Sequence, residues 1–253
     1  MQVNIDNLSI KYDDCGEGSP VLLLHGWGAS LETMRPVSDA IVKLGMRAVS
    51  LDFPGFGGSE APREVWGVAE YAGFVRRFMH TLNLEGADVL CHSFGGRVVI
   101  FLASEDGELF KRIVLVNAAG IRPKRGLKWY VRTYAYKAGK RLSRIKLLDR
   151  LLNLSGRITK AGSADYRALQ TELMRGIFVK VINQDLTNRL NRITNPTLLI
   201  WGAQDQETPL YMGQTMEQLI PNSGLVILEG AGHFSYLDQY PRFCAILEAF
   251  FKA

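Results

Sequence analysis

The chain has 253 residues, is 47% hydrophobic and carries a net charge of +5, which fits one cored domain with an insertion and excludes a disordered chain. Its three cysteines, Cys15, Cys91 and Cys244, show no C-x-x-C spacing, so the sequence indicates neither a disulfide framework nor a metal site. No basic leader, apolar signal segment or membrane-length run occurs. These features predict a cytoplasmic protein without stable membrane insertion.

Short apolar runs alternate with helical patterns on both sides of a basic middle segment. In chain order, strands are predicted at 21–24, 48–51, 87–91, 112–116, 197–201 and 225–228, and helices at about 31–44, 70–82, 94–104, 210–219 and 241–251. Strands that alternate with helices at this spacing are typical of an α/β fold with a mostly parallel sheet. We therefore expect helices on both faces of that sheet.

The middle segment, residues 122–192, differs from the rest of the chain in charge. It holds 18 Lys and Arg against 4 Asp and Glu, a net charge of +14, whereas the remaining residues carry −9. Its apolar residues recur at helical spacing with basic residues between them. We predict a core of residues 1–121 and 193–253, with a basic helical cap at 122–192 inserted into it.

Ser93 lies in the stretch LCHSFGGR, between a predicted strand and a predicted helix. A serine at a tight strand-to-helix turn is typical of a nucleophile elbow, and Gly95 and Gly96 leave the room that such a turn needs. A serine nucleophile also requires a base, an acid that orients the base, and N–H donors for the oxyanion. Ser93 is therefore the candidate nucleophile, and we expect its partners to follow other strands.

His233 and Asp205 are the candidate base and acid. His233 lies in the glycine-rich loop EGAGHF after the last predicted strand, and Asp205 lies four residues after the strand predicted at 197–201. Glu207 and Asp238 are alternative acids by their place in the chain. The order Ser, Asp, His is that of the α/β hydrolases and differs from the order in two families of serine protease.

Four loop segments carry a resemblance to this superfamily. His25–Gly28 (HGWG) resembles its H-G-x-G loop after the third strand, and residues 52–59 (DFPGFGGS) resemble its D-x-P-G-x-G-x-S turn. Residues 201–205 (WGAQD) and 230–233 (GAGH) resemble its acid and histidine loops. The departure is Cys91, which stands where G-x-S-x-G has its first glycine. The chain resembles, over nearly its whole length, a capped, carboxylesterase-like serine hydrolase of the α/β-hydrolase superfamily.

The resemblance implies an α/β-hydrolase fold with a mostly parallel eight-stranded sheet, helices on both faces and a helical cap. It implies Ser93 as nucleophile, His233 as general base and Asp205 as the acid that orients the base. It further implies that the backbone N–H groups of Trp27 and Phe94 form the oxyanion hole. No metal or organic cofactor is expected.

We predict a serine hydrolase that cleaves carboxylic esters of small or medium size through an acyl-enzyme. A serine nucleophile disfavours the dehalogenases and epoxide hydrolases of this superfamily, which attack with aspartate. The expected partner is a small-molecule ester and not a nucleic acid, and the expected state is a monomer or a weak homodimer.

Two alternatives stay open at the level of sequence. The Ser93–Arg97 string (SFGGR) is similar to the menaquinone-pathway synthase of this superfamily, and the basic cap would attract an anionic substrate. A C–C bond hydrolase, or a lyase similar to that synthase, is therefore the first alternative. The second is a non-catalytic binding protein with a hydrolase fold. The candidate substrate contacts are His25, Arg97, Trp129 and Tyr130.

Overall fold

The computed structural model describes residues 1–123 and 171–252 of the chain. The chain divides into two compact units, of which the first contains Met1–Arg122 and Asn183–Ala253 and the second contains Pro123–Ile182. All strands of the described residues lie in the first unit. The first unit contains all residues of the predicted core, 1–121 and 193–253, together with residues 122 and 183–192.

A single eight-stranded sheet crosses the first unit in the order β1-β2-β4-β3-β5-β6-β7-β8. The strands are β1 (Gln2–Ile5), β2 (Leu8–Cys15), β3 (Pro20–Leu24), β4 (Arg47–Leu51), β5 (Ala87–His92), β6 (Phe110–Val116), β7 (Thr197–Gly202) and β8 (Ser223–Leu228). β2 runs antiparallel to both β1 and β4, and all other neighbours are parallel. The predicted α/β fold with a mostly parallel eight-stranded sheet is confirmed.

Helices connect the parallel strands. They are α1 (Arg35–Lys43), α2 (Val68–Thr81), α3 (Phe94–Glu105), α4 (Glu172–Asn183), α5 (Tyr211–Leu219), α6 (Ser235–Asp238) and α7 (Tyr240–Lys252), with 3-10 helices at Leu31–Met34 and Thr187–Arg192. The helix predicted at 31–44 begins as the first of these 3-10 helices. Pro36 then lies in the first turn of α1, where its missing N–H costs no hydrogen bond.

Alternate residues of β3 show why both faces of the sheet need helices. Val21 and Leu23 belong to one apolar cluster with residues of α1 and α7. Leu22 and Leu24 are equally buried and lie outside that cluster, because successive side chains of a strand point to opposite faces. A strand buried on both faces reads as a continuous apolar run, as this one does.

The register of the parallel strands places several loops at one edge of the sheet. Leu24 of β3 pairs with Cys91 of β5, and Gly202 of β7 pairs with Leu228 of β8. The loops that follow these strands therefore leave the same carboxyl edge. In open α/β sheets this edge is where ligands bind, so the fold brings the predicted site residues to one place.

The insertion ends earlier in the chain than the sequence analysis placed it. We assigned residues 183–192 to the cap, but they belong to the first unit, where the 3-10 helix Thr187–Arg192 packs against α3. Arg189 of this 3-10 helix lies over the ring of Phe101, with 4.0 Å between the guanidinium carbon and the ring centroid. Of the second unit, the structure describes Pro123 and residues 171–182, and the latter lie mainly in α4. That the insertion acts as a cap stays a prediction.

Candidate active site

Ser93 lies at the turn between β5 and α3 in a strained backbone conformation. Its φ is +48° and its ψ is −108°, a region that residues with a side chain rarely adopt. The turn is held by its backbone, since the Ser93 N–H donates to the Val116 carbonyl at 3.1 Å and the Ser93 carbonyl accepts from Ala119 at 2.9 Å. This is the geometry of a nucleophile elbow, which presents a serine hydroxyl at the sheet edge.

The elbow accommodates Cys91 in place of the usual glycine because residue 95 has no side chain. A Cβ at Gly95 would lie 3.1 Å from the Cβ of Cys91 and 2.7 Å from the carbonyl oxygen of Leu24. The Cys91 thiol is fully buried, with its sulfur 3.6 Å from the Val114 carbonyl, and burial raises the pKa of that thiol. Cys91 is therefore a neutral, space-filling residue beneath the elbow.

The loop after β3 lies directly against the elbow. A Cβ at Gly26 would be 2.8 Å from Nδ1 of His92 and 3.2 Å from the Cβ of Ser93, so this close approach requires glycine. The ring of Trp27 packs edge-on against Phe94, with 5.4 Å between centroids. Phe94 is the first residue of α3, where a helix N–H has no partner within the helix. The two predicted oxyanion-hole residues are thus neighbours.

His25 is fully buried, and both of its ring nitrogens bind backbone groups. Nδ1–H donates to the Gly26 carbonyl at 2.7 Å, and Nε2 accepts from the Phe53 N–H at 3.0 Å. Burial lowers the pKa of His25 to about 4, so the ring is neutral near pH 7. We proposed His25 as a substrate contact, but neither nitrogen is available to a substrate. Instead it ties the loop after β3 to the loop after β4.

The second of those loops is organised by Asp52. Its fully buried carboxylate accepts from the Leu31 N–H at 2.6 Å and from the Gly58 N–H at 2.8 Å. Its backbone carbonyl accepts from the Ser59 hydroxyl at 2.7 Å. These bonds give Asp52 the role of a turn anchor and leave it no part in proton transfer.

His233 and Asp205 are hydrogen-bonded to each other. Nδ1 of His233 lies 2.9 Å from Oδ2 of Asp205, whose side chain is fully buried. Burial by itself would raise the pKa of the Asp205 carboxyl. Hydrogen bonds from His233, Thr208 and Asn117, together with the charge of His233, outweigh burial and lower this pKa to about 2. An ionised Asp205 can only accept, so Nδ1 of His233 is the donor in this bond; in the neutral form of the ring, Nε2 then carries the lone pair.

Three polar residues that the sequence analysis missed support this pair. Asn117 follows β6 at a φ of +45° and donates from Nδ2 to Oδ2 of Asp205 at 2.6 Å. Thr208 donates from its hydroxyl to the same oxygen at 2.6 Å and from its N–H to Oδ1 at 3.0 Å. Ser235 donates from its hydroxyl to Oδ1 of Asn117. The one sequence signal for Asn117 was its place directly after the apolar strand RIVLV, at the edge where the other site residues were expected.

His92, the residue before Ser93, connects the β5–α3 turn to the loop of His233. Its Nε2–H donates to the His233 carbonyl at 2.9 Å, and its ring lies 4.8 Å from the His233 ring and 5.2 Å from the ring of Tyr236. Burial, followed by the charge of His233, lowers the pKa of His92 to about 3. A neutral His92 therefore fixes the distance between two loops of the site.

The two alternative acids have other positions. Oδ2 of Asp238 accepts from the Gly232 N–H at 2.8 Å, which shapes the histidine loop from outside. Oε2 of Glu207 lies 3.7 Å from Nε2 of His233, on the side of the ring opposite to Asp205. Within the described residues, no hydrogen bond links the Ser93 hydroxyl to His233. Asp205 is therefore the carboxylate placed to orient the imidazole.

The remaining candidate substrate contacts lie apart from this cluster or outside the described residues. Arg97 of α3 is buried and donates from Nη1 to the Gln184 carbonyl at 2.7 Å. Burial lowers the pKa of Arg97 to about 10, which keeps it charged near pH 7. Trp129 and Tyr130 lie outside the described residues. A contact of Arg97, Trp129 or Tyr130 with substrate stays a prediction.

Residues 1–123 and 171–252 contain no group of three or more His, Cys, Asp or Glu side chains that could hold a metal ion. In the same two ranges, no helix combines the length and apolar character needed to cross a membrane.

A family model described as the alpha/beta hydrolase fold matches residues 19–240. The chain belongs to this family. Its core is that of an α/β hydrolase, and the protein is a hydrolase of that fold. The match spans the loops after β3, β5, β7 and β8, which hold the residues described above.

Known α/β hydrolases of several activities are similar to the chain. The 2-hydroxymuconate semialdehyde hydrolase of Pseudomonas putida is 28% identical over 250 residues, which cover 94% of this chain and 88% of the relative. A solved esterase from Exiguobacterium antarcticum is 23% identical with a TM-score of 0.78, over 99% of this chain and 98% of its own. A solved meta-cleavage product hydrolase from Pseudomonas fluorescens IP01 is 23% identical with a TM-score of 0.74, and the match covers 100% of this chain and 97% of the hydrolase. At such identities the solved structures show a shared fold alone.

Proposed function

We propose that this α/β hydrolase is a serine esterase that cleaves carboxylic esters of small or medium size through an acyl-enzyme. The observation that carries the proposal is the strained serine at the β5–α3 turn, joined through His92 to the loop of a hydrogen-bonded His233–Asp205 pair. Strain of this kind persists where the surrounding structure enforces it, and it is typical of active sites.

The chemistry follows from the protonation states of the pair. Nε2 of His233 takes the Ser93 proton as the Ser93 oxygen attacks the ester carbonyl, and Asp205 stabilises the imidazolium that forms. The N–H groups of Trp27 and Phe94 bind the developing oxyanion. Nε2 then returns the proton to the leaving alcohol oxygen as the carbon–oxygen bond breaks. Water, deprotonated by the same nitrogen, then attacks the acyl carbon. Nε2 returns that proton to the Ser93 oxygen as the bond between this oxygen and the acyl carbon breaks, which releases the acid and restores the serine.

Replacing Ser93 by alanine tests this proposal. We expect kcat/KM for p-nitrophenyl esters to fall about 10⁴-fold or more, since the nucleophile is removed, with the unfolding transition retained. Ser223→Ala is the matched control, because Ser223 begins β8 at the opposite edge of the sheet and binds only nearby carbonyls. We expect that control to be fully active. Undiminished activity in Ser93→Ala would end the proposal.

A second candidate is hydrolysis of a C–C bond in an anionic substrate. It is favoured by the similarity to the 2-hydroxymuconate semialdehyde hydrolase and by the net charge of +14 in residues 122–192. A panel of p-nitrophenyl esters, lactones and a vinylogous diketone, run on wild type and Ser93→Ala, separates the two. Turnover of the diketone alone would replace the ester proposal with this one. If none of these substrates is turned over in a reaction that requires Ser93, the result would favour a binding protein.

We further propose that the enzyme acts in the cytoplasm as a monomer or weak homodimer, without a metal, an organic cofactor or a nucleic-acid partner. Three cysteines without paired spacing support a reducing compartment. Sedimentation velocity tests the oligomeric state. Retained activity after treatment with a chelator tests the independence from metal.

A further inference from the structure

Glu207 places a second carboxylate beside the proposed base. Its Oε2 lies 3.7 Å from Nε2 of His233, the nitrogen that does not bind Asp205. The Glu207 side chain is 65% exposed, whereas that of His233 is 10% exposed. The carboxylate therefore lies on the solvent-exposed side of the imidazole, next to the nitrogen that does not bind Asp205.

The position of Glu207 is set by the acid loop itself. Its backbone N–H donates to Oδ1 of Asp205 at 2.8 Å, next to the bond from the Thr208 N–H at 3.0 Å. Among the described residues, His233 is the one basic group within 4 Å of the Glu207 carboxylate. Within residues 1–123 and 171–252, the negative charge beside Nε2 is therefore not paired with a lysine or arginine.

We propose that Glu207 determines specificity by disfavouring leaving groups that carry negative charge. The inference rests on the proposed function, in which Nε2 of His233 donates a proton to the oxygen of the leaving group. The leaving oxygen must then come within hydrogen-bond distance of Nε2, and hence close to the Glu207 carboxylate. A negative charge on the leaving group would lie about 6 Å from the Glu207 carboxylate, at a partly exposed site. Repulsion between these two charges should slow ester cleavage about three- to tenfold. Glu207 thus selects esters of neutral or cationic alcohols.

The same geometry restricts where an anionic substrate can carry its charge. A carboxylate in the acyl half lies across the scissile bond from the leaving oxygen, and therefore farther from Glu207. Coulomb repulsion falls with distance and is screened where solvent enters. The substrate class that fits the site is an ester whose alcohol half is uncharged or positive, with any negative charge in the acyl half.

Three nitrophenyl esters test the inference, each followed at the absorption of the nitrophenolate that it releases. They are 4-nitrophenyl acetate, 3-carboxy-4-nitrophenyl acetate, with the charge in the leaving group, and mono-4-nitrophenyl glutarate, with the charge in the acyl group. The quantity measured is kcat/KM for the neutral ester divided by that for each anionic ester, at low ionic strength. Comparison of this ratio between variants cancels the intrinsic reactivity of each ester.

The variants are Glu207→Gln and Glu207→Lys, with Glu17→Gln as matched control. Glu17 is exposed and precedes β3 at the opposite edge of the sheet. We expect the ratio for the leaving-group anion to fall about three- to tenfold in Glu207→Gln and further in Glu207→Lys. The ratio for the acyl anion should change less, and Glu17→Gln should change neither ratio. Addition of 0.5 M NaCl should shrink the difference between wild type and Glu207→Gln.

Distinct results overturn the inference and the proposed function. A leaving-group ratio within twofold of wild type in both Glu207 variants, with turnover still dependent on Ser93, overturns the inference alone. Equal changes in the ratios for the leaving-group anion and the acyl anion also overturn it. Such a result would mean that Glu207 acts on any anionic substrate through the net charge of the site, wherever the substrate carries its own charge. Hydrolysis of all three esters that does not depend on Ser93 overturns the proposed function and the inference together.

Discussion

Buried carboxylates at the two edges of the sheet are stabilised in different ways. At the carboxyl edge, Asp205 is held by Asn117, Thr208 and His233, none of which carries a fixed charge. At the amino edge, Asp88 of β5 accepts two hydrogen bonds from Arg112, at 3.0 and 2.8 Å. Polar donors keep Asp205 ionised and leave its charge available to His233, whereas Arg112 neutralises Asp88 completely.

Arg112 also joins the sheet to the last helix. Its Nη1 donates to the carbonyls of Phe250 and Phe251, and its guanidinium carbon lies 5.0 Å from the centroid of the Phe251 ring. A cation at the carboxyl end of α7 is also favourable for the helix dipole. The amino edge is therefore arranged for stability and the carboxyl edge for chemistry. Substitutions at the two edges should change different measurable quantities.

The largest effect is expected from Asp205→Asn at the carboxyl edge. An asparagine keeps the shape of the side chain but loses the charge that fixes the tautomer of His233 and stabilises its imidazolium. We expect kcat for p-nitrophenyl esters to fall about 10³- to 10⁴-fold in the folded protein. Some free energy of unfolding is also lost, since an amide nitrogen cannot accept the hydrogen bonds made to Oδ2. Asp238→Asn is the control, with an expected loss below about tenfold, since Asp238 binds only the loop backbone. A larger loss in Asp238→Asn would reverse the assignment.

At the amino edge, Arg112→Met should change stability and leave kcat unaltered. Asp88 is 2% exposed, so removal of its partner leaves an uncompensated buried charge, which costs about 3–5 kcal/mol in the free energy of unfolding. Urea denaturation measures this. Arg77→Met is the control, because its partner Asp6 is 42% exposed and such pairs contribute less than about 1 kcal/mol. Equal losses in both variants would contradict the contrast between the edges.

The smallest effect is expected at Cys91, beneath the elbow. Cys91→Gly removes a buried side chain and adds backbone freedom in β5, so we expect a loss of about 1–2 kcal/mol in the free energy of unfolding. Activity should stay within about twofold of wild type at a temperature where the protein is folded, because the neutral thiol does not reach the site. Complete loss of activity in a folded Cys91→Gly protein would give the thiol a catalytic role.

Much of the fold could be predicted because its signals are local. The strands predicted at 87–91 and 197–201 agree with β5 and β7 within one residue, since each is a continuous apolar run. β1 and β2 were not identified, because their burial is partial and their sequences mix polar and apolar residues. The end of the insertion was misplaced because charge, and not packing, set that boundary.

The residues of the candidate site likewise divide into those that the sequence could predict and those that it could not. Ser93, Asp205 and His233 could be found because each lies in a short loop that follows a strand. Asn117 and Ser235 could not, because their role arises only when the loops after β6 and β8 meet around Asp205. The sequence left His25 among the candidate substrate contacts, since its position next to the oxyanion loop does not reveal that backbone groups occupy both ring nitrogens.

The order of the strands along the chain has a consequence for synthesis. Ser93 follows β5, but Asp205 and His233 follow β7 and β8, and α7 then closes the sheet through Arg112. A growing chain exposes the strained turn well before its proton acceptor has been translated. Ser93, Asp205 and His233 can therefore meet only after β8 and the loop that follows it have been synthesised and have joined the sheet.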